Sequence, residues 1–191
     1  MEADWEIEVG GESPVIDAHW PGSVDLRRHP ERVLQLPEAQ AFPVLAQALE
    51  VLNAETSPVW TSKCDVWPIV DLAGFDPDEL DAPAGCDAHA IGGYLDLLLR
   101  DERKWDLIAT AAADCKHLCS LLREVPLRCC RVDLVVRQAI FDSAHLADGS
   151  MSLAMTAYFT ACGPTPAEAA ATIQAALAEF ARVLSAPSTL E

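Results

Sequence analysis

The stretch from Arg131 to Cys162 constrains the fold more than any other part of this chain. Val132, Leu134 and Val136 alternate there with Arg131, Asp133 and Arg137, over a run ending at Phe141. A period of two residues puts the apolar side chains on one face and the polar ones on the other. Met151 to Cys162 repeats the pattern, with Met151, Leu153, Met155 and Phe159 opposite Ser152, Thr156, Tyr158 and Thr160. Asp148-Gly149 falls in the turn region between the two runs. The pair reads as a long antiparallel hairpin with a loose loop, apolar on one face only. Such a face has to be covered by another layer.

Amphipathic helices supply that layer. Thr165-Pro166-Ala167-Glu168 is a capping box with proline at the first helical position, and Ile173, Leu177, Phe180 and Leu184 form the stripe that follows. Phe42, Leu45, Leu49 and Leu52 predict a second helix. A third is expected over Tyr94 to Arg123, broken near 100–103, with Trp105, Ile108, Ala112, Cys115, Cys119 and Leu122 as its apolar stripe and Pro126 beyond its end. Trp5 to Val9 and Val15 to Trp20, separated by Gly10-Gly11, suggest an early hairpin, which Val24 to Leu26 can extend. Pro58 to Pro68 reads as a strand, and 71–93 as a loop with a short helix start at Asp76-Pro77. The expectation is an α+β two-layer sandwich: a mostly antiparallel sheet with amphipathic helices on one face and the other face open. Its 191 residues suit one domain, with 185–191 as a fraying tail.

Composition narrows the partners. Hydrophobic residues make up 51% and charged residues 23%, the balance of a folded soluble chain. Thirty acids against thirteen bases give a net charge of −17, which repels phosphate backbones and anionic lipid, so neither nucleic acid nor a membrane surface is an expected partner. No apolar run approaches the roughly 20 residues of a membrane span. The opening Met1 to Glu8 has no basic stretch or apolar core of a signal peptide, so a cytoplasmic location is expected. Seven cysteines then read as reduced thiols, and an odd number cannot all pair within one chain.

Three groups of residues carry possible chemistry. The first is the polar face of the hairpin: Arg131, Asp133, Arg137, Thr156 and Tyr158, joined by Asp17 and His19 if their strand is a neighbour. Two guanidinium groups, carboxylates, hydroxyls and an imidazole can hold a small polar ligand or a second protein chain. The ordinary alternative is a wet sheet face with cross-strand ion pairs. The second is Cys64, between Lys63 and Asp65 and bracketed by Trp60 and Trp67. A neighbouring ammonium can activate a thiol, but neighbours along a strand point to opposite faces. The third is a thiol group formed by Cys115 and Cys119, four apart on one helix face, with Cys129 or Cys130. Zinc or copper(I) accepts thiolates, whereas core packing explains the same residues without a metal. The acids Asp76, Asp78, Glu79 and Asp81 lack a calcium loop and read as helix capping. No phosphate loop, dinucleotide fingerprint or Gly-x-Ser-x-Gly elbow is present.

The function expected from this is a small binding or accessory protein, dimeric with a second copy of itself, that offers the open sheet face to a partner chain or small polar ligand. An enzyme working through Cys64 or the Arg131/Asp133/Arg137 face is the alternative, and a thiolate metal protein the next. No cofactor is expected beyond zinc or copper in that last case.

Overall fold

The computed structural model describes residues 1–8, 10, 14–17, 22–72, 75–101, 104–141, 152–186 and 189–190, with backbone only at 16, 17 and 141. The strands are β1 (Glu2–Ile7), β2 (Val15–Asp17), β3 (Val59–Ile69), β4 (His89–Leu99), β5 (Cys130–Phe141) and β6 (Ser152–Gly163). The helices are α1 (Pro37–Ala41), α2 (Pro43–Asn53), α3 (Ile108–Arg123) and α4 (Pro166–Leu184), with 3-10 turns at Pro30–Gln35 and Pro77–Leu80. The six strands make one sheet in the order β1-β5-β6-β4-β3, with β2 also on β5.

β5 and β6 form the expected hairpin, with Asp133 opposite Tyr158 and Val135 opposite Thr156. Val132, Leu134, Val136, Leu153, Met155, Ala157 and Phe159 face the core they share with the helices. α4 lies on this face, and Phe180 meets Phe159 edge to face at 5.2 Å between ring centroids. Burying each such side chain contributes about 1.5–3 kcal/mol, so this contact anchors the helix layer to the sheet. The capping box is present: the Thr165 hydroxyl accepts from the Glu168 N–H at 3.2 Å and donates to the Glu168 carboxylate at 2.7 Å.

Three parts differ from expectation. β1 and β2 both run parallel to β5, end to end along one edge, so they form no hairpin and the sheet is mixed. Residues 94–99 belong to β4, a central strand between β3 and β6, and helix α3 begins only at Ile108. Val24 to Leu26 lies outside the sheet. The end of the chain is also tied down at Thr189, which is buried and donates to the Val183 carbonyl at 2.7 Å. Lys104 donates to the carbonyl of Leu190.

Among the described residues, two apolar clusters cover the ends of the sheet face away from the helices. At one end Val15, Trp60, Leu98, Ala139 and Ala154 form a small apolar cluster, with the Arg27 guanidinium 3.7 Å over the Trp60 ring. At the other, Leu80 from the 3-10 turn packs on Ala90 and Cys162. Between the two clusters, Trp67 and Tyr94 keep part of their surface exposed among the described residues, and the candidate site lies there.

Candidate functional site on the sheet face away from the helices

β3 is an edge strand with a bulge between Thr61 and Cys64, where Ser62 and Lys63 together oppose Asp96 of β4. Bulges re-aim side chains and recur beside binding sites. Asn53 holds the start of this one: its amide oxygen accepts from the Thr61 N–H at 3.0 Å, and its nitrogen donates to the Thr61 hydroxyl at 2.8 Å. Beyond the bulge, Asp65 and Trp67 fall on the face away from the helices, with Trp67 opposite Gly92. A β-carbon at Gly92 would stand 3.1 Å from the Trp67 ring, so a side chain here would push the indole a few tenths of an ångström from its place across β4.

A row of three aromatic rings results. Trp67 and Tyr94 have centroids 6.2 Å apart, and Tyr94 and Tyr158 again 6.2 Å, both pairs tilted. Beside the row lies Asp96, only 8% exposed. Its carboxylate accepts from the Thr156 hydroxyl at 2.7 Å. Thr156 in turn accepts from Arg137 at 3.3 Å, and Arg137 also donates to the Tyr158 hydroxyl at 2.7 Å. The remaining edge of the guanidinium is held by Glu8, just past β1, through two bonds of 2.7 and 3.0 Å. The three rings, Asp96, Thr156 and Arg137, with Pro14 and Val15, line a hollow of about 330 Å³.

The electrostatics divide the groups. Burial pushes the Asp96 carboxyl above the ordinary carboxylate range, and the opposing pull of Thr156, Lys63 and Arg137 does not fully offset it. The Arg137 bond holds Glu8 below that range. Burial, then the charges of Asp96 and Asp65, pushes the Tyr94 hydroxyl up to about 12, so it is a neutral donor at any physiological pH.

The five residues expected on the hairpin face do share one face, but they divide between two hollows. Arg137, Thr156 and Tyr158 line the aromatic one. Arg131 and Asp133 line another of about 220 Å³, where Arg131 contacts Asp133 at 2.7 Å and Asp4 and Glu79 at 3.7 Å each. Three carboxylates around one guanidinium leave little attraction for a further anion. β2 is a neighbour of β5, with Asp17 opposite Phe141. The Asp17 side chain and the whole of His19 lie outside the described residues.

Cys64 packs toward the helix-side core beside a larger hollow of about 380 Å³ along the outer edge of β3. Burial, followed by the charges of Glu38, Asp65 and Asp96, pushes its thiol up to about 12. It is protonated at neutral pH and a poor nucleophile. The larger hollow holds no comparable assembly of rings around a buried charge, so the aromatic hollow is the better candidate.

The metal candidates do not converge. Cys115 and Cys119 sit together in the main core, where the Cys115 thiol lies 4.0 Å from the Met155 sulfur. Cys130 is buried in the same core on β5. Cys129, with backbone φ of 61°, turns instead to the Leu80/Ala90/Cys162 cluster, where the free thiols of Cys86 and Cys162 are its neighbours. Among the described residues no group of three or more His, Cys, Asp or Glu is placed to hold a metal.

The residues that sequence reasoning missed are Glu8, Gly92, Tyr94 and Asp96, and it gave Trp67 only as a bracket around Cys64. A signal existed for the last two: Asp96 is one acid inside the apolar run Tyr94 to Leu99. No family model, curated protein or solved structure matches this chain. No helix among the described residues is long and apolar enough to cross a membrane.

Proposed function

We propose that this chain is a small-ligand binding protein whose site is the hollow ringed by Trp67, Tyr94 and Tyr158. One observation carries the reading: a carboxylate, Asp96, is buried beside these rings, between the two apolar clusters of the sheet face away from the helices. Burying a charge without a full counter-charge destabilises a fold, and local conflicts of this kind concentrate at binding sites. Apolar walls with a few convergent polar groups are the usual lining of a ligand site. Arg137 and Thr156 then act as positioning residues that hold Tyr158 and Asp96 in place.

Ligand-observed NMR with a panel of small polar metabolites tests this, run on the native chain and on Trp67→Ala. Binding that Trp67→Ala abolishes supports the reading. No binding across the panel, or binding indifferent to Trp67, overturns it. Light scattering on the same samples reports whether a second copy covers the face instead. A dimer broken by Trp67→Ala would replace the small ligand with a partner chain.

A further inference from the structure

The reading above leaves the ligand's chemistry open, and the groups around the hollow decide it. We infer that the hollow takes an organic ammonium ion, its charge between Asp96 and the faces of Trp67 and Tyr94; the inference rests on the hollow being a ligand site.

The first argument is the rings. A cation within about 6 Å of an aromatic centroid is attracted by the ring's negative face, most strongly at tryptophan. The hollow already uses this attraction once, with the Arg137 guanidinium 5.4 Å from the Tyr158 centroid. Trp67 is 38% exposed and Tyr94 half-buried, so both retain surface for a guest.

The second is the balance of charge. Arg137 places four bonds on Glu8, Tyr158 and Thr156, so an anionic ligand would meet a guanidinium already neutralised by a carboxylate. Asp96 accepts a hydroxyl bond from Thr156, a neutral partner. Burial keeps its carboxyl raised even with Lys63 and Arg137 near. A ligand ammonium adds positive charge beside it, and partial desolvation strengthens the pairing.

The third acts at longer range. A net charge of −17 raises the local concentration of cations around the molecule and lowers that of anions.

Calorimetric titration with three probes that share one ring tests the inference: benzylammonium, benzyl alcohol and benzoate. The native chain is expected to bind benzylammonium about tenfold tighter than benzyl alcohol, the ratio that roughly 1.4 kcal/mol of charge recognition produces, and benzoate more weakly than either. Asp96→Asn should remove the preference for the cation and leave the affinity for benzyl alcohol. Trp67→Leu, at a position 38% exposed, should weaken both. Equal or tighter binding of the alcohol or of benzoate, still abolished by Trp67→Leu, overturns the ammonium assignment and leaves the hollow as a ligand site. An undiminished cation preference in Asp96→Asn overturns the assignment too. No heat from any probe, with no shift of the Trp67 indole N–H resonance, overturns both.

Discussion

Under the proposed function Asp96 carries opposite demands of folding and binding, and the conflict can be measured at that one residue. Its carboxyl is raised above an ordinary value near 3.8, first by burial. A carboxylate raised by folding lowers stability as pH climbs from the unfolded value to the folded one, and the loss stays constant above both. Lys63 and Asp65 on β3, Tyr94 on β4, Arg137 on β5 and Thr156 with Tyr158 on β6 surround it. Asp96→Asn keeps an acceptor for Thr156 and removes the charge. It is expected to stabilise the chain by about 1–3 kcal/mol at neutral pH, with the gain shrinking toward nothing as pH falls to about 3.8. Thermal unfolding of both chains across that range measures it. A loss of stability at neutral pH would mean that Asp96 serves the fold. Gly92 offers a complementary test, because an added methyl meets the side chain of Trp67 first, at 3.1 Å. Gly92→Ala should change stability by less than about 1 kcal/mol yet weaken ligand binding several-fold, and a titration beside an unfolding curve separates the two effects. Arg137, Thr156 and Tyr158 were legible from alternation alone. Asp96 and Tyr94 were not, because their strand was mistaken for a helix.

That mistake belongs to the scale of elements and has a physical cause. β4 lies between two other strands and carries apolar residues on both faces, from Leu95, Leu97 and Leu99 toward the helices to Leu98 toward Trp60. A strand buried on both sides loses its alternation, and leucines in a short run fit a helix equally well. The early strands fail for a different reason. Gly10-Gly11 between apolar runs resembles a hairpin turn, but β1 and β2 pair with β5, more than a hundred residues away. No local period reports a pairing at that distance. α4 succeeds because every signal is local: Thr165 caps, Pro166 starts, and the stripe repeats in sequence. The junction ahead of it is tighter than the sequence suggests. A β-carbon on Gly163 would stand 2.6 Å from the Ala169 nitrogen and 2.9 Å from the Glu168 carbonyl carbon, both backbone atoms of the first turns of α4. Gly163→Ala therefore pushes β6 and α4 apart and is expected to destabilise by about 1–3 kcal/mol. Thr165→Ala, which removes only the cap, should cost about 1 kcal/mol. Chemical denaturation ranks the two, and a harmless Gly163→Ala would show that the junction can relax.

At the scale of the whole molecule the question is whether its charge holds the chain together or strains it. Its arginines act as clamps: Arg137 ties Glu8 to the hairpin, Arg131 draws Asp4, Glu79 and Asp133 together, and Arg128 pairs with Asp81. Most of these pairs are solvent-exposed on at least one side, where each contributes about 0–1 kcal/mol and salt weakens it. Against them stand thirty acids and thirteen bases, a net −17 on 191 residues. At about 0.01 M salt the screening length is roughly 30 Å, so like charges across the whole molecule repel one another; near 1 M it falls to roughly 3 Å and mainly the clamped pairs still interact. Repulsion summed over many acids then outweighs a few weak pairs, and added sodium chloride should raise the thermal midpoint by several degrees. The same salt should loosen an ammonium in the aromatic hollow, because screening weakens its attraction to Asp96 and to the acidic surface. Stability and affinity thus move in opposite directions along one salt series. A midpoint that falls with salt would show that the clamps outweigh the repulsion. An affinity indifferent to salt would show that charge has little part in recognition, leaving the rings of Trp67 and Tyr94 to hold the ligand by contact alone.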